Sequence, residues 1–375
     1  MRRRAWLQCL GLAGLPGLGL PAWPADAAAA GTGIGPRPLV FPRDFGAHPE
    51  TRTEWWYATG SLQAAPGDAP FGFQLTFFRS RTDLATRHPS RFAARQLLFA
   101  HAAVTDLAQR QLRHAERIAR WNGEADAGLA AAAVADTDVG LAGWRFVREG
   151  PPGASVYRAR LSDRPAGFGF DLALRSTQPV LLQGEAGWSR KGPEAAQASH
   201  YYSQPQLAVS GTLVRDARRL PVTGTAWLDH EWSETLMHPE AVGWDWIGMN
   251  LDDGGALTAF QLRKADGSAI WAGGSYRARG GEVRAFGPGE VAFVPGRTWT
   301  SPATRSRYPV QWTVATPAGR FEVRALLDAQ ELDSRASTGA IYWEGLSDLH
   351  EAGSGRRVGR GYLEMTGRAS PLRLG

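Results

Sequence analysis

Cysteine and lysine are almost missing from this chain. Of its 375 residues one is a cysteine, Cys9. After residue 9 there is therefore no disulfide, no thiolate metal site and no thiol nucleophile. The 42 basic residues include only Lys191 and Lys264, and the arginines are scattered singly among 36 carboxylates. A net charge of +6 and a pI near 9.8 thus describe a mixed, solvated surface. No basic stripe is present, which argues against nucleic acid as a partner.

Several signatures are missing as well. Gly187-Trp188-Ser189 and Gly273-Gly274-Ser275 lack the closing glycine of a nucleophile elbow. The glycines of Gly31-Thr32-Gly33-Ile34-Gly35 precede any strand and so cannot open a phosphate loop. His230 and His238, with Asp229, match no H-E-x-x-H spacing, so no metal is expected. No cofactor motif accompanies them.

Long apolar runs are lacking too. The segment MRRRAWLQCLGLAGLPGLGLPAWPADAAAAG is too broken to span a membrane. Its Arg3-Arg4-Ala5-Trp6-Leu7-Gln8 start and weakly apolar sequel resemble a twin-arginine export signal. Residues 1–30 are expected to be that signal, cut between about Ala25 and Ala30, with 31–38 a Gly/Pro linker. The mature protein would then be periplasmic, and Cys9 would leave with the signal.

What the chain has in abundance is tryptophan, 15 residues, together with 45 Gly and 24 Pro. Aromatics beyond the needs of a core point to a pocket for flat or greasy ligands. The densest stretch is GTAWLDHEWSETLMHPEAVGWDWIG, residues 224–248. A period of two puts Thr225, Trp227, Asp229 and Glu231 on one strand face and Ala226, Leu228, His230 and Trp232 on the other. In the next strand Trp244 and Trp246 share a face and Asp245 points away from them. A Trp-rich strand with one histidine is also an ordinary core pattern, but so many titratable groups in one segment suggest a site with an acid, a base and an aromatic wall.

Elsewhere the pattern is of short alternating strands. Residues 41–62 place Glu54 and Trp56 on one face and Trp55 and Tyr57 on the other; residues 71–79 complete a hairpin. A short helix capped by Ser90 is expected over 90–97, then a strand carrying His101 among small neighbours. Strands follow at 112–119, 143–149, 155–161 and 168–174, and 198–213 reads as a strand pair bearing Tyr201 and Tyr202. Five more follow residue 281. His48-Pro49-Glu50 precedes Trp56 as His238-Pro239-Glu240 precedes Trp246, and Phe73-Gln74-Leu75 is echoed by Phe260-Gln261-Leu262, which argues for duplication. Short antiparallel strands almost without helix predict an all-β chain of two barrels, roughly 150–200 residues per copy. Their expected spans are 39–234 and 235–375, with the Trp-rich segment at the interface.

The motifs FPRDFGAHPETRTEWWYATGSL, AARQLLFAHAAVTDL, SHYYSQPQLAVSG, WLDHEWS, GWDWIG and GRGYLEMTG resemble the AttH-like proteins, often labelled secreted hydrolases and related to carotenoid 1,2-hydratases. The resemblance implies two tandem lipocalin-like antiparallel β-barrels. In the hydratases an acid/base set includes a His and a Trp two residues apart, which His230 and Trp232 match; no Tyr-x-Asp follows at a comparable position. Alkene hydration needs a proton donor, a surface for a carbocation and a base for water. Asp229 or Asp245 is the expected donor, Trp232 and Trp244 the cation-facing rings, and His230 the group that orients or deprotonates water. Glu54, Trp55, Trp56, Tyr57, His101, Tyr201, Tyr202, Trp244 and Trp246 are the expected substrate-binding residues.

Two functions compete at this point. One is a cofactor-independent hydratase or hydrolase acting on a hydrophobic, isoprenoid or lipid substrate. The other is a periplasmic lipid carrier working with an ABC-type permease, a link the resemblance implies. Titratable groups converging inside the cavity would favour the enzyme. An aromatic cavity with its carboxylates outside would favour the carrier.

Overall fold

The computed structural model describes residues 35–82, 90, 93–123 and 128–372. The expected signal at 1–30, Cys9 and the first part of the linker lie outside the described residues. Residues 34–375 form one compact unit. Among the described residues there are β-strands and two 3-10 turns but no α-helix. Part of the helix expected over 90–97 falls outside the described residues; of the rest, Ala93 turns back to Ser90 and a strand begins at Gln96. Leu97 to Ala100 pair on both sides with neighbouring strands, and that pairing overrides the capping signal.

Two large antiparallel sheets follow one another along the chain, giving two lipocalin-like barrels in tandem. The first runs from Thr53 to Thr235 and the second from Gly243 to Met365. In each, the opening strand lies between the second strand and the last. Thr53–Gln63 pairs with Phe71–Arg81 and with Arg218–Thr235. Gly243–Leu251 pairs with Ala256–Arg263 and with Arg357–Met365. This shared closure accords with duplication, but the sequence echo is one residue out of step. Trp56 points into the first barrel's core, whereas Trp246 points out of the second barrel toward the first.

Each barrel is filled by its own side chains. Trp56, Phe73, Phe77, Phe146, Tyr157 and Phe170 belong to the first core; Ile247, Met249, Trp312, Trp343 and Leu363 belong to the second. A third apolar cluster lies between the sheets and takes Tyr57 and Trp227 from one, Trp246, Phe260, Leu346 and Tyr362 from the other. The stacking of the two sheets buries the second face of these strands. Gly248 makes the contact possible, because a Cβ there would sit 2.3 Å from the Trp246 ring and 3.1 Å from Trp227.

Residues 198–213 form part of one strand, Ala198–Arg215, where a pair was expected. Pro205 has no N–H to give to a ladder. The register shifts between Gln204 and Leu207, and Gln206 turns to φ +57° without ending the strand. The first half of this strand carries Tyr201 and Ser203 to the interface.

Candidate active site

The strand Arg218–Thr235 has a buried side chain at every position from Ala226 to Ser233, so both its faces meet protein. On one face, Trp227, Asp229 and Glu231 stand opposite Thr59, Tyr57 and Trp55 of the first strand. On the other, His230 and Trp232 stand opposite Trp56 and Glu54.

The first face borders a cavity of about 420 Å³ between the two sheets, a size suited to a small ligand. Its apolar wall includes Trp55, Phe78, Phe99, Trp244, Trp246 and Phe260. The Trp55 and Trp244 rings stack at 6.4 Å. Into this wall are set two acidic clusters.

Asp229 anchors the first. Its Oδ2 accepts from Tyr201 Oη at 2.8 Å, and its Oδ1 from Ser203 Oγ and from Trp227 Nε1 at 2.7 Å. Trp246 Nε1 donates to the same Tyr201 oxygen at 3.2 Å, which links the second barrel to the acid. Burial pushes Asp229 up to about 7, against the pull of these donors. Beside it, Glu231 forms an ion pair with Lys191 at 3.0 Å and accepts from Ser199. The Lys191 ammonium lies 4.2 Å from the Phe260 ring centre and 4.6 Å from that of Tyr201. Burial lowers the Lys191 pKa, with Glu231 opposing.

The second cluster comes from the far sheet. Glu344 and Glu364 are direct neighbours across two strands, and Trp246 stands next to Glu364 in the same row. Both carboxyls are raised by burial, Glu344 further by the neighbouring Glu364 charge. Tyr57, from the first sheet, is raised well above an ordinary phenol by burial and then by these two acids. At a third point His101 contacts Tyr342 Oη through Nδ1 and Ser337 Oγ through Nε2, both at 2.8 Å. Burial lowers that imidazole to about 3, so it stays neutral.

The opposite face of the strand is closed. His230 is wholly buried, its Nδ1 3.0 Å from Tyr202 Oη and its Nε2 2.9 Å from Glu54 Oε1. Glu54 also accepts from His48 Nδ1 at 2.8 Å and from Arg79 Nε at 2.7 Å. His48 reaches Asp44 at 3.0 Å through its other nitrogen and stacks on Trp232 at 3.7 Å. Burial lowers His230 to about 4. For His48 burial also opposes charge, but Glu54 and Asp44 overcome it and raise its pKa.

This geometry corrects the site expected from sequence. Asp229, Trp55, Tyr57, His101, Tyr201, Trp244 and Trp246 meet at the cavity. His230 and Trp232 do not, because the odd-numbered residues of this strand face the second barrel and the even-numbered ones face the interior of the first. Trp56 and Tyr202 go with them: Trp56 Nε1 donates to Phe45 O at 3.2 Å, and Tyr202 holds His230. Glu54 does border the cavity, but its carboxylate is spent on His48, His230 and Arg79. Asp245 is turned into the second barrel, where Gln261, Arg263 and Arg368 surround it. His238 sits at a turn and accepts from the Glu240 N–H.

The expectation missed Glu231 as a participant in its own right, and Lys191, Glu344, Glu364 and Tyr342. Glu344 and Glu364 each interrupt an apolar strand, IYWEGL and GYLEM, and that interruption was their one local signal. His48, Glu54 and His230 offer three atoms close enough for a metal. Those atoms bond to one another in a closed clasp, Glu54 Oε1 taking both His48 Nδ1 and His230 Nε2, while the Arg79 guanidinium on the same carboxylate places a fixed positive charge there that a metal cation would have to oppose.

A cavity between stacked faces of two β-barrels, set with paired acids, defines a lipocalin-like protein with an inter-barrel pocket. The AttH-like family model matches residues 33–368, and the chain belongs to that family. It is similar to the crystal structure of an AttH protein from Nitrosomonas europaea, with 47% identity over 90% of this chain and 99% of that one and a TM-score of 0.80. Kievitone hydratase from Nectria haematococca shares the fold at 15% identity, over 88% of this chain and 92% of that one, with a TM-score of 0.65. CghA does so at 14% identity, over 92% and 96%, with a TM-score of 0.53. No curated protein matches the chain in sequence.

Proposed function

We propose that the protein is a cofactor-independent acid/base enzyme of the hydratase type, acting on a hydrophobic substrate held between the barrels. The observation that carries this reading is Asp229: a carboxyl near pKa 7, fixed by three donors, at the wall of an apolar cavity. A carboxylic acid half-protonated at neutral pH is matched to proton donation. The fold shared with kievitone hydratase is compatible with this chemistry but does not establish it.

The residues supply each part of a hydration. Asp229 gives its proton to one alkene carbon, leaving a carbocation at the other, which the electron-rich faces of Trp55, Trp244 and Trp246 can stabilise. Water adds to that carbon and loses a proton to Glu231, whose neighbour Lys191 holds the carboxylate in place. Proton return from Glu231 to Asp229, past the adjacent Tyr201, restores the starting state. The substrate class is an isoprenoid or lipid, and the protein would meet it in the periplasm after export by the twin-arginine route; that localisation rests on the Arg3-Arg4 segment alone.

A carrier would need the apolar wall but no converging acids. Here Tyr201 with Asp229, and Lys191 with Glu231, converge at hydrogen-bond distance, which favours catalysis. Incubating the protein with a lipid extract in oxygen-18 water, followed by mass spectrometry, is the direct test. Heavy oxygen entering a lipid with wild type but not with Asp229→Asn supports the reading. Bound lipid recovered unlabelled from both would sink it and return the carrier with its permease partner.

A further inference from the structure

The mechanism above leaves the Glu344–Glu364 end of the cavity without a role, and its chemistry is unlike that of the Asp229 end. The acids around Asp229 are held by donors: Tyr201, Ser203, Trp227, Ser199 and Lys191. At the other end the buried Glu344 carboxyl and Tyr57 Oη lie within interaction range of each other, but neither makes a hydrogen bond of ordinary length. Glu344 is 3% exposed and Tyr57 6%, and both border the cavity. Buried polar atoms are nearly always well paired, so a carboxyl and a phenol left loosely paired at the border of a cavity leave room for one further donor.

The charge balance says what kind. Asp229, Glu231, Glu344 and Glu364 border the cavity, and Lys191 is paired with Glu231. Arg52, Arg79 and Arg81 also lie at the wall, but Arg79 is committed to Glu54, Thr51 and Gln96, and Arg52 and Arg81 to Glu234. Two carboxyls opposite each other on adjacent strands repel when both are ionised, so one keeps a proton. An incoming cation removes that need. Trp246, next to Glu364 in the row, adds the kind of ring face that holds an ammonium, as Phe260 and Tyr201 already do for Lys191.

We propose that Glu344, Glu364 and Tyr57 form an ammonium subsite, which takes the protonated amine of an amphiphile whose apolar body lies along Trp55, Trp244 and Phe260. The inference rests on the reading of the cavity as the substrate site. On binding, the ammonium donates to Glu344 Oε1, and the proton shared by the carboxyl pair is released to solvent. A cationic amphiphile would also mimic the carbocation of the proposed reaction and compete with the substrate.

Decylamine and decanol, matched in length, are the probes, measured by titration calorimetry at pH 7 in two buffers of different ionisation enthalpy. Wild type is expected to bind decylamine at least about tenfold more tightly than decanol and to release protons with the amine only. Glu344→Gln should lose that preference while keeping its decanol affinity, which also shows that the variant is folded. Equal affinities in wild type, no binding of either probe, no proton release, or a preference that survives in Glu344→Gln would each overturn the proposal. Turnover plays no part in this titration. Amine selectivity in a protein that never labels lipid would leave the subsite standing and the hydratase reading refuted.

Discussion

The two faces of the strand Arg218–Thr235 carry similar residues in opposite circumstances. One face has Asp229 and Glu231, the other His230, and aromatic rings flank both. On the closed face the titratable groups around His230 are paired: Glu54 takes His48, His230 and Arg79, and Arg79 also reaches Thr51 and Gln96, while His200, packed on Trp232, is left without a side-chain partner. On the cavity face burial raises Asp229 to about 7, and Glu344 Oε1 and Tyr57 Oη make no hydrogen bond of ordinary length. Saturation makes a structural joint. Incomplete saturation beside an empty volume makes a site.

The largest effect should come from breaking the joint. Glu54→Ala leaves Arg79 buried without its anion and His48 with Asp44 alone, and removing one partner of such a network destabilises by about 3–5 kcal/mol. Denaturant unfolding should show the loss; a midpoint like that of wild type would mean the clasp is not structural. Asp229→Asn is the matching change on the cavity face. It should reduce turnover by roughly 10²–10⁴-fold with unfolding free energy unchanged or raised, since the amide needs no proton. Joint loss of fold and activity would erase the distinction between the faces.

Acid should then separate them in sign. Asp229 is raised to about 7 in the folded protein, so its contribution is complete below the unfolded carboxyl range and is lost as pH rises from about 4 to 7. His230 is lowered to about 4, so the unfolded chain takes up its proton first and stability falls as pH drops from about 6.5 to 4. Melting curves across this window should show Asp229→Asn gaining on wild type as pH rises. A constant difference between the two would contradict the burial assigned to Asp229. The smallest expected effect is that of Trp55→Leu, which removes one stacked ring from the cavity wall. Ligand affinity should drop a few-fold, on the order of 1 kcal/mol, and calorimetry would detect no change if the ring lay outside the ligand's path.

Much of this arrangement could be read from the chain. Alternation separated Asp229 and Glu231 from His230 and Trp232, and Trp244 and Trp246 from Asp245, as the register shows. Alternation cannot say which of two buried faces meets the empty space. Both are apolar, and the choice depends on the second sheet stacking over the first. The His and Trp at positions 230 and 232 were therefore drawn into the site, while Glu344 and Glu364, more than 100 residues away in sequence, were left out. The helix at 90–97 failed for a related reason: a capping residue is local, whereas the pairing that made a strand from Gln96 is not.

The closure of each sheet by its first and last strands has a consequence for how the protein is made. Thr53–Gln63 waits for Arg218–Thr235, and Gly243–Leu251 waits for Arg357–Met365. Pairings so distant along the chain are slow to form, because a long loop must be ordered before any contact rewards it. The acids Asp229 and Glu364 come from the late strand of each half, so no emerging fragment holds a working cavity. A ribosome must complete nearly the whole chain before the two barrels can face each other, and the cavity exists only when folding has ended.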